Sequence, residues 1–207
     1  MSTASVTLEV GDDTYPGRLN EPENPTERGV LILPGMGHGP FGDVFDRFAE
    51  AAADRGLLVA RFETWTGQDD LAEKSEADMQ RELDAQIEFL RERDCELVSV
   101  VAKSFGGRLA LTHLSTEHVA RMVLWAPAVF FGEYDDRPTI TVDELADVEP
   151  PTLILQGDAD EGLSVENARD LAEHLPEGAV VELPGEDHSF RNDQSRIVDE
   201  TLDSLSS

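Results

Sequence analysis

Short runs of consecutive apolar residues recur along the chain and predict its architecture. These runs occupy residues 30–33, 57–60, 97–102, 122–126, 152–155 and 179–183. Continuous hydrophobicity, without a polar residue at every second position, is typical of strands buried on both faces of a parallel sheet. Amphipathic helical stripes lie between the runs, at residues 44–52, 79–90, 165–175 and 198–205. The alternation predicts an α/β fold with a mostly parallel central sheet flanked by helices on both faces.

Two segments differ from this alternation. Residues 6–10 and 14–20 flank the turn at 11–13 and predict a hairpin that adds antiparallel strands to one edge of the sheet. Residues 127–151 have no clear periodicity and lie between two predicted strands, so we expect a short insertion or a minimal cap there. The chain contains no linker and no internal repeat, which predicts a single domain over residues 1–207.

The segment from Leu97 to Leu111, LVSVVAKSFGGRLAL, carries the most specific chemical signal. A buried strand ends at Ala102, Ser104 follows it, and an apolar helix begins after the glycines. A small-x-Ser-x-Gly pattern at such a junction holds the serine in a strained turn with its hydroxyl pointing away from the sheet. The helix N-terminus also directs N–H groups to the place where an oxyanion would form. The alternative is a tight turn with a buried capping serine.

A nucleophilic serine needs a base, and the base needs an acid that orients it. One predicted strand ends in a loop with Asp158 and Asp160, and the next predicted strand ends in a loop with His188. The carboxyl ends of parallel strands meet at one edge of the sheet, so we expect these loops to lie beside Ser104. On the residues alone, Asp158 and Asp160 are both candidates for the acid.

With these motifs the sequence resembles the α/β-hydrolase superfamily over nearly the whole chain, from residue 6 to residue 205. The resemblance implies the α/β-hydrolase fold, with Ser104 as the nucleophile and His188 as the base. It also implies that Asp160 is the acid, because Gly157 sets the register of the family's Gly-x-x-Asp loop.

The loop LPGMGHG at residues 33–39 resembles the family loop that follows the first central strand. This resemblance implies an oxyanion hole formed by the backbone N–H groups of Met36 and Phe105. Pro34 stands where the family usually has histidine. His38 is either a residue that lines the pocket or a spacer in the glycine-rich loop.

The Lys-Ser-x-Gly-Gly-Arg elbow around Ser104 resembles the dienelactone-hydrolase-like group. It is more similar to a little-characterised subgroup with that elbow, some of whose members have no known substrate. Dienelactone hydrolases proper use a cysteine, so their reaction is not implied here. We predict a serine hydrolase that cleaves a small ester or related acyl substrate and needs no cofactor and no metal. The alternatives are a thioesterase or peptidase that uses the same residues, and a binding scaffold without turnover.

Some of the other candidate residues have two interpretations. Lys103 either faces the pocket and favours a polar substrate or forms a salt bridge. Cys95 precedes a strand, far in sequence from any base, and is predicted to be a structural thiol. Four aromatic residues are candidates either for the wall of an acyl pocket or for core packing: Trp65, Trp125, Phe130 and Phe131.

The charge of the chain indicates which partners and which environment to expect. The 207 residues include 44 Asp and Glu but only 16 Lys and Arg, for a formal net charge of −28. This balance argues against nucleic acids and anionic membranes as partners, and we predict adaptation to high salt rather than a merely acidic mesophilic protein.

No signal peptide and no apolar stretch of membrane-spanning length is found, so we expect a cytoplasmic protein. The sequence leaves the oligomeric state open.

Overall fold

The computed structural model describes residues 2–37, 39–114, 116–132 and 138–206. The strands are β1 Ser2–Val10, β2 Asp13–Glu21, β3 Arg28–Leu33, β4 Leu58–Phe62, β5 Leu97–Lys103, β6 Val119–Trp125, β7 Phe130–Phe131, β8 Thr139–Ile140, β9 Thr152–Gly157 and β10 Gly178–Leu183. The helices are α1 Asp43–Asp54, α2 Gln68–Glu73, α3 Glu76–Arg91, α4 Phe105–Thr112, α5 Val142–Ala146, α6 Val165–His174 and α7 Gln194–Leu205, with a 3-10 turn at Thr116–His118. Among the helices of these ranges, none is long and apolar enough to cross a membrane.

An eight-stranded sheet forms the centre of the described structure, in the order β1-β2-β4-β3-β5-β6-β9-β10. From β4 to β10 every neighbouring pair is parallel. The hairpin of β1 and β2 is antiparallel and joins the sheet by an antiparallel pairing of β2 with β4. The predicted α/β fold, with its mostly parallel sheet and its hairpin at one edge, is confirmed.

The side chains of β3 alternate between two apolar clusters, one on each face of the sheet. Val30 and Ile32 pack in the cluster that contains the apolar faces of α1 and α7. Leu31 and Leu33 pack in the cluster that contains those of α3, α4 and α6. Since both faces are covered, a polar residue at any of these positions would be buried without a partner, which is why the strand reads as an unbroken apolar run.

In its described part, the segment 127–151 packs against α4 and α6. It contains β7, β8 and α5, which the sequence pattern did not indicate because each is shorter than one amphipathic repeat. Leu145 on α5 is fully buried. The side-chain amide of Asn167 on α6 donates to the carbonyl of Val129 at 3.0 Å and accepts from the N–H of Phe131 at 3.1 Å. The predicted insertion is therefore tied to α6 in its described part.

The parallel strands bring four loops to one edge of the sheet. The loops after β3, β5, β9 and β10 all leave from the carboxyl ends of neighbouring or near-neighbouring strands. In open α/β sheets this edge is where ligands bind. These are the loops that contain the residues singled out from the sequence.

Candidate active site

Ser104 occupies a sharp turn between β5 and α4. Its backbone has φ 53° and ψ −114°, a conformation that non-glycine residues rarely adopt and that costs about 1–3 kcal/mol. The turn is held from both sides, since the N–H of Ser104 donates to the carbonyl of Trp125 at 2.9 Å and its carbonyl accepts from Ala128 at 2.9 Å and Arg108 at 3.1 Å. Strain at a residue fixed in this way is typical of a functional site.

The two glycines after the serine are required by close backbone contacts. A Cβ at Gly106 would lie 2.5 Å from the carbonyl oxygen of Leu33, and a Cβ at Gly107 would lie 2.9 Å from the side chain of Pro127. No real Cβ tolerates the first distance, because the neighbouring atom belongs to the backbone. The start of α4 therefore packs closely against the loop after β3 and against Pro127.

Ser104, His188 and Asp160 form one chain of hydrogen bonds. The Oγ of Ser104 lies 3.0 Å from Nε2 of His188, and Nδ1 of His188 lies 2.8 Å from Oδ2 of Asp160. A carboxylate only accepts, so the bond to Asp160 requires the proton on Nδ1 and leaves Nε2 free to accept from the serine hydroxyl. The three side chains predicted from three separate loops are thus in contact.

The carboxylate of Asp160 is almost completely buried and accepts several hydrogen bonds. Its side chain is 2% exposed, and Oδ1 accepts from the N–H groups of Gly162 at 2.9 Å and Leu163 at 3.0 Å. The amide of Gln156 donates to Oδ2 at 3.2 Å. Burial raises the pKa of Asp160, but the hydrogen bonds from His188 and the two backbone donors outweigh burial and hold its pKa below the ordinary value.

Asp158, the alternative acid, has a different partner. Its Oδ1 accepts from the N–H of Gly185 at 2.6 Å, so it joins the loop after β9 to the loop after β10. The two loops also meet at Gly157, where a Cβ would lie 2.1 Å from the carbonyl oxygen of Glu186. The geometry therefore favours Asp160 over Asp158 as the partner of His188.

Met36 lies in the loop after β3, and Phe105 is the first residue of α4, directly after Ser104. No described residue accepts a hydrogen bond from either N–H, whereas the N–H of Gly106 is already bonded to the carbonyl of Pro34 at 3.1 Å. A Cβ at Gly35 would lie 3.9 Å from the Oγ of Ser104, so this loop lies directly against the serine. Within the described ranges, both N–H groups therefore lack an acceptor from the protein.

Three of the four aromatic candidates pack against other side chains. Trp125 is fully buried, stacks on Phe45 with ring centroids 5.6 Å apart, and donates to the hydroxyl of Thr201 at 2.9 Å. Phe131 stacks on His174 with centroids 4.1 Å apart. Phe130 is partly buried against the cluster that contains α1 and α7. Of the alternatives left open by the sequence, these contacts favour core packing.

Trp65 has a role that the sequence did not reveal. It is buried, and its indole Nε1 donates to the carbonyl of Gly35 at 3.2 Å in the loop that contains Met36.

The sequence analysis did not single out Glu186 either. It is 1% exposed, and its carboxylate accepts from the backbone N–H groups of Asn192 and Asp193, which follow His188 in the chain.

The remaining candidates do not join this cluster. Cys95 is buried beside Gly29 and Leu90, as expected for a structural thiol. His38, which could line the pocket, lies outside the described residues. Across the described ranges, no three His, Cys, Asp or Glu side chains are grouped so that they could hold a metal ion. Lys103 forms no salt bridge with a described residue; its ammonium lies 5.8 Å from the centroid of the Phe190 ring, and it lines a cavity together with Gly35.

The fold and this arrangement define an α/β hydrolase. The model of the alpha/beta hydrolase domain family matches residues 26–205, so the chain belongs to that family. No curated protein matches the chain.

Solved structures with the same fold have low sequence identity to the chain. An α/β serine hydrolase without a lid from Xanthomonas campestris has a TM-score of 0.79 and 19% identity, covering 100% of this chain and 94% of that one. Est1E from Butyrivibrio proteoclasticus, with ferulic acid bound, has a TM-score of 0.81 and 13% identity, covering 98% and 100%. A dienelactone hydrolase from Anabaena variabilis has a TM-score of 0.80 and 19% identity, covering 98% and 95%. These likenesses show the fold, and the family and fold together support hydrolase activity.

Proposed function

We propose that the chain is a serine hydrolase that cleaves a small ester or related acyl substrate through an acyl-enzyme. The observation that carries the proposal is the hydrogen-bonded chain from Ser104 through His188 to Asp160, at 3.0 and 2.8 Å. A serine hydroxyl is a weak nucleophile, and a neutral imidazole placed at this distance can accept its proton during attack.

In the first half of the reaction, Oγ of Ser104 bonds to the carbonyl carbon while its proton moves to Nε2 of His188. The carbonyl electron pair moves onto oxygen, where the N–H groups of Met36 and Phe105 stabilise the charge. The intermediate then expels the alcohol, which takes the proton from His188. Asp160 keeps the imidazole in the productive tautomer and stabilises its cation.

In the second half, water attacks the acyl-enzyme and gives a proton to His188. The new tetrahedral intermediate expels Oγ of Ser104, which takes that proton back, and the carboxylic acid is released. Apart from this water molecule, no group outside the chain and the substrate is needed to balance either half. Water reaches the acyl-enzyme readily because His188 is 40% exposed.

The limited size of the segment 127–151 supports a small substrate. The described part of the 127–151 segment is tied to α6 by Asn167 and does not form a large lid. One structural neighbour is described as a serine hydrolase without a lid, and another holds ferulic acid. Hydrolysis of a thioester or a peptide bond would proceed through the same acyl-enzyme. Assays that compare thioesters and amides with esters would identify the preferred leaving group.

The experiment measures hydrolysis of p-nitrophenyl butyrate in molar potassium chloride, together with covalent labelling by a fluorophosphonate probe mapped by mass spectrometry. We expect turnover and a label on Ser104, both lost in Ser104→Ala. Ser99→Ala, on β5 just before the turn that holds Ser104, is the matched control and retains both. A folded protein that neither turns over short esters nor labels at Ser104 would overturn the proposal in favour of a binding scaffold.

A second pair of variants tests the acid. Asp160→Asn keeps the size of the side chain but favours the wrong imidazole tautomer, and we expect kcat to fall by about 10⁴-fold, as in serine proteases. Asp158→Asn changes the neighbouring loop without touching His188 and should keep kcat within about tenfold of the original. The reverse ranking would reassign the acid to Asp158.

A further inference from the structure

Gln156 is a buried amide at the end of β9, directly before the loop that contains Asp160. It follows the apolar residues Leu153, Ile154 and Leu155 and is 1% exposed. A buried amide without hydrogen-bond partners destabilises a protein, because it loses its bonds to water. A polar side chain at this point of an apolar strand therefore directs attention to the hydrogen bonds that it makes.

The amide nitrogen of Gln156 is surrounded by acceptors. Nε2 lies 2.9 Å from the carbonyl oxygen of Leu163, 3.2 Å from Oδ2 of Asp160 and 3.3 Å from the carbonyl oxygen of Gly157. Carbonyl and carboxylate oxygens only accept, so the side chain has to present its NH₂ group to them rather than its oxygen. The chemistry of the three neighbours thus fixes which way the amide points, and its two hydrogens are shared among them.

Two of these contacts close the loop that contains Asp160. Gly157 stands at the start of this loop and Leu163 at its end, and the amide of Gln156 binds the carbonyl oxygens of both. Within the loop, the N–H groups of Gly162 and Leu163 donate to Oδ1 of Asp160 at 2.9 and 3.0 Å. Gln156 therefore joins the two ends of a loop whose backbone already holds the carboxylate.

The third contact falls on the carboxylate oxygen that binds His188. Oδ2 of Asp160 accepts from Nδ1 of His188 at 2.8 Å and from the amide of Gln156 at 3.2 Å. Each carboxylate oxygen accepts about two hydrogen bonds, so these two donors and the two backbone donors on Oδ1 fill the carboxylate. The side chain of Asp160 is 2% exposed, so water is a poor replacement for a donor that is removed. A rotation of the carboxylate towards another donor would move Oδ2 away from His188.

We infer that Gln156 is a positioning residue, whose amide holds Oδ2 of Asp160 where it accepts the hydrogen bond from Nδ1 of His188. The inference rests on the proposed serine hydrolase function and adds a residue to it. Gln156 acts through Asp160, because an imidazole whose partner has rotated away directs Nε2 less accurately at the hydroxyl of Ser104. A displacement of about 1 Å at a reacting group costs about 100-fold in rate.

A second buried glutamine provides a matched control. Gln86 on α3 is also 1% exposed, and its amide donates to the carbonyl oxygen of Glu82 at 3.1 Å, one turn earlier in the same helix. Replacing either glutamine by methionine keeps the length of a buried side chain and removes its donors. Loss of stability is expected from both variants, whereas loss of catalysis is expected from Gln156→Met alone.

The first measurement is steady-state hydrolysis of p-nitrophenyl butyrate by Gln156→Met and Gln86→Met. We expect Gln156→Met to lower kcat by about 10- to 100-fold with KM within about twofold, because acyl transfer needs the imidazole and substrate binding does not. Gln86→Met should keep kcat within about twofold of the original. If Gln156→Met does not fold, Gln156→Leu takes its place. Equal losses of kcat in the two variants, or an effect of Gln156→Met on KM alone, would overturn the inference.

The second measurement asks whether Gln156 acts through Asp160. The rate at which a fluorophosphonate labels Ser104 is compared among Gln156→Met, Asp160→Ala and the variant with both substitutions. Once the carboxylate is gone, Gln156 has nothing to hold, so the double variant should label within about twofold of Asp160→Ala. A further loss in the double variant, equal to the loss in Gln156→Met alone, would overturn the inference and leave the hydrolase proposal intact.

The third measurement does not depend on turnover. Two-bond proton–nitrogen correlations in NMR spectra report which ring nitrogen of a neutral imidazole carries the proton, and the signals of His188 are assigned by their loss in His188→Gln. We expect the proton on Nδ1 in the original protein and in Gln86→Met, with a larger share on Nε2 in Gln156→Met. The same distribution of tautomers in all three proteins would overturn the inference. Absence of both turnover and a label on Ser104 would overturn the hydrolase proposal instead, so the two failures are distinguishable.

Discussion

The indole N–H of Trp65 donates to the carbonyl oxygen of Gly35 at 3.2 Å. The carbonyl of Gly35 and the N–H of Met36 belong to one trans peptide unit and point in opposite directions. The hydrogen bond from Trp65 therefore turns the N–H of Met36 away from the indole and fixes the orientation of a proposed oxyanion donor. Trp65 also meets Phe105 edge-to-face, with ring centroids 5.6 Å apart.

We predict that Trp65→Phe lowers kcat for short esters by about tenfold or more. Complete loss of one oxyanion donor costs about 10²–10³ in kcat, and a misoriented donor loses part of that. The assay is steady-state hydrolysis together with the rate of fluorophosphonate labelling. Trp125→Phe, which removes a buried indole from the core, is the control. Equal losses of kcat in both variants, in step with their melting temperatures, would contradict a specific role for Trp65.

The buried carboxylate of Glu186 holds the loop that contains His188. Its two oxygens accept from the N–H groups of Asn192 at 3.0 Å and Asp193 at 2.5 Å. Its main-chain carbonyl accepts from the N–H of Ala159 at 3.0 Å, in the neighbouring acid loop. One residue thus ties both loops together.

We predict that Glu186→Gln destabilises the protein by about 1.5–3 kcal/mol, since hydrogen bonds to a charged group are lost and an amide NH₂ faces one of the two donors. Urea denaturation measures the change in the free energy of unfolding. The labelling rate of Ser104 should fall as well, because the position of His188 loosens. Glu182→Gln, at an exposed carboxylate that pairs with Arg169, should change stability by only about 0.5 kcal/mol. Equal effects of the two variants would contradict the prediction.

The sequence predicted the sheet and the three linked side chains because both depend on local patterns. The apolar runs of strands buried on two faces are visible without the structure, and Ser104, Asp160 and His188 each follow such a run. Parallel topology then places the ends of these strands together. The choice of Asp160 over Asp158 needed the family register, and the hydrogen bond to His188 agrees with it.

What the sequence could not predict depends on contacts between distant segments. Glu186 is surrounded in sequence by residues typical of a solvated loop, and nothing local distinguishes an acid that accepts from backbone donors. Lys103 was equally compatible with a salt bridge, because the contacts of a charged side chain, here with the ring of Phe190, depend on all neighbouring elements. Helices as short as α2 and α5 form through packing rather than through a repeated apolar stripe.

Cys95 offers a test of burial that is independent of catalysis. The thiol is 1% exposed, and burial, followed by the charge of Asp94, raises its pKa from 9.0 to about 11. We therefore predict that a disulfide reagent labels the native protein slowly at pH 8 and the urea-unfolded protein rapidly, since the thiolate is the reactive form. Rapid labelling of the folded protein at pH 8 would contradict this.

The same shift predicts a pH dependence of stability. Below the unfolded pKa of 9.0 the thiol is protonated in both states, so its contribution is fully present. As the pH rises from 9.0 to about 11, the thiol of the unfolded state loses its proton while the thiol of the folded state keeps it. The unfolded state is stabilised by this loss, so the contribution of the thiol to folding has gone once the pH has risen through about 11. The difference in unfolding free energy between the protein and Cys95→Ala should be constant below pH 9 and shrink above it. A constant difference up to pH 11 would contradict the shift.

The acidic surface predicts that stability depends on salt. A formal net charge of −28 on one chain produces mutual repulsion that the unfolded chain relieves by expanding. At molar salt the Debye length falls to about 3 Å, so repulsion between exposed carboxylates is screened while buried pairs such as Lys74 with Glu82 are affected much less.

We predict that the melting temperature rises steeply between 0.1 and about 2 M potassium chloride. Relief of about 3 kcal/mol would correspond to roughly 6–12 °C for a chain of this length. Sucrose stabilises by exclusion from the surface without screening charges, so at equal osmolality it should reproduce only a small part of the rise. Replacing the exposed acids Glu9, Asp12 and Glu92 by their amides should flatten the dependence on salt by removing repulsion directly. A melting temperature that is independent of potassium chloride, or a salt dependence that these three amides leave unchanged, would show that the acidic surface is not an adaptation to high salt.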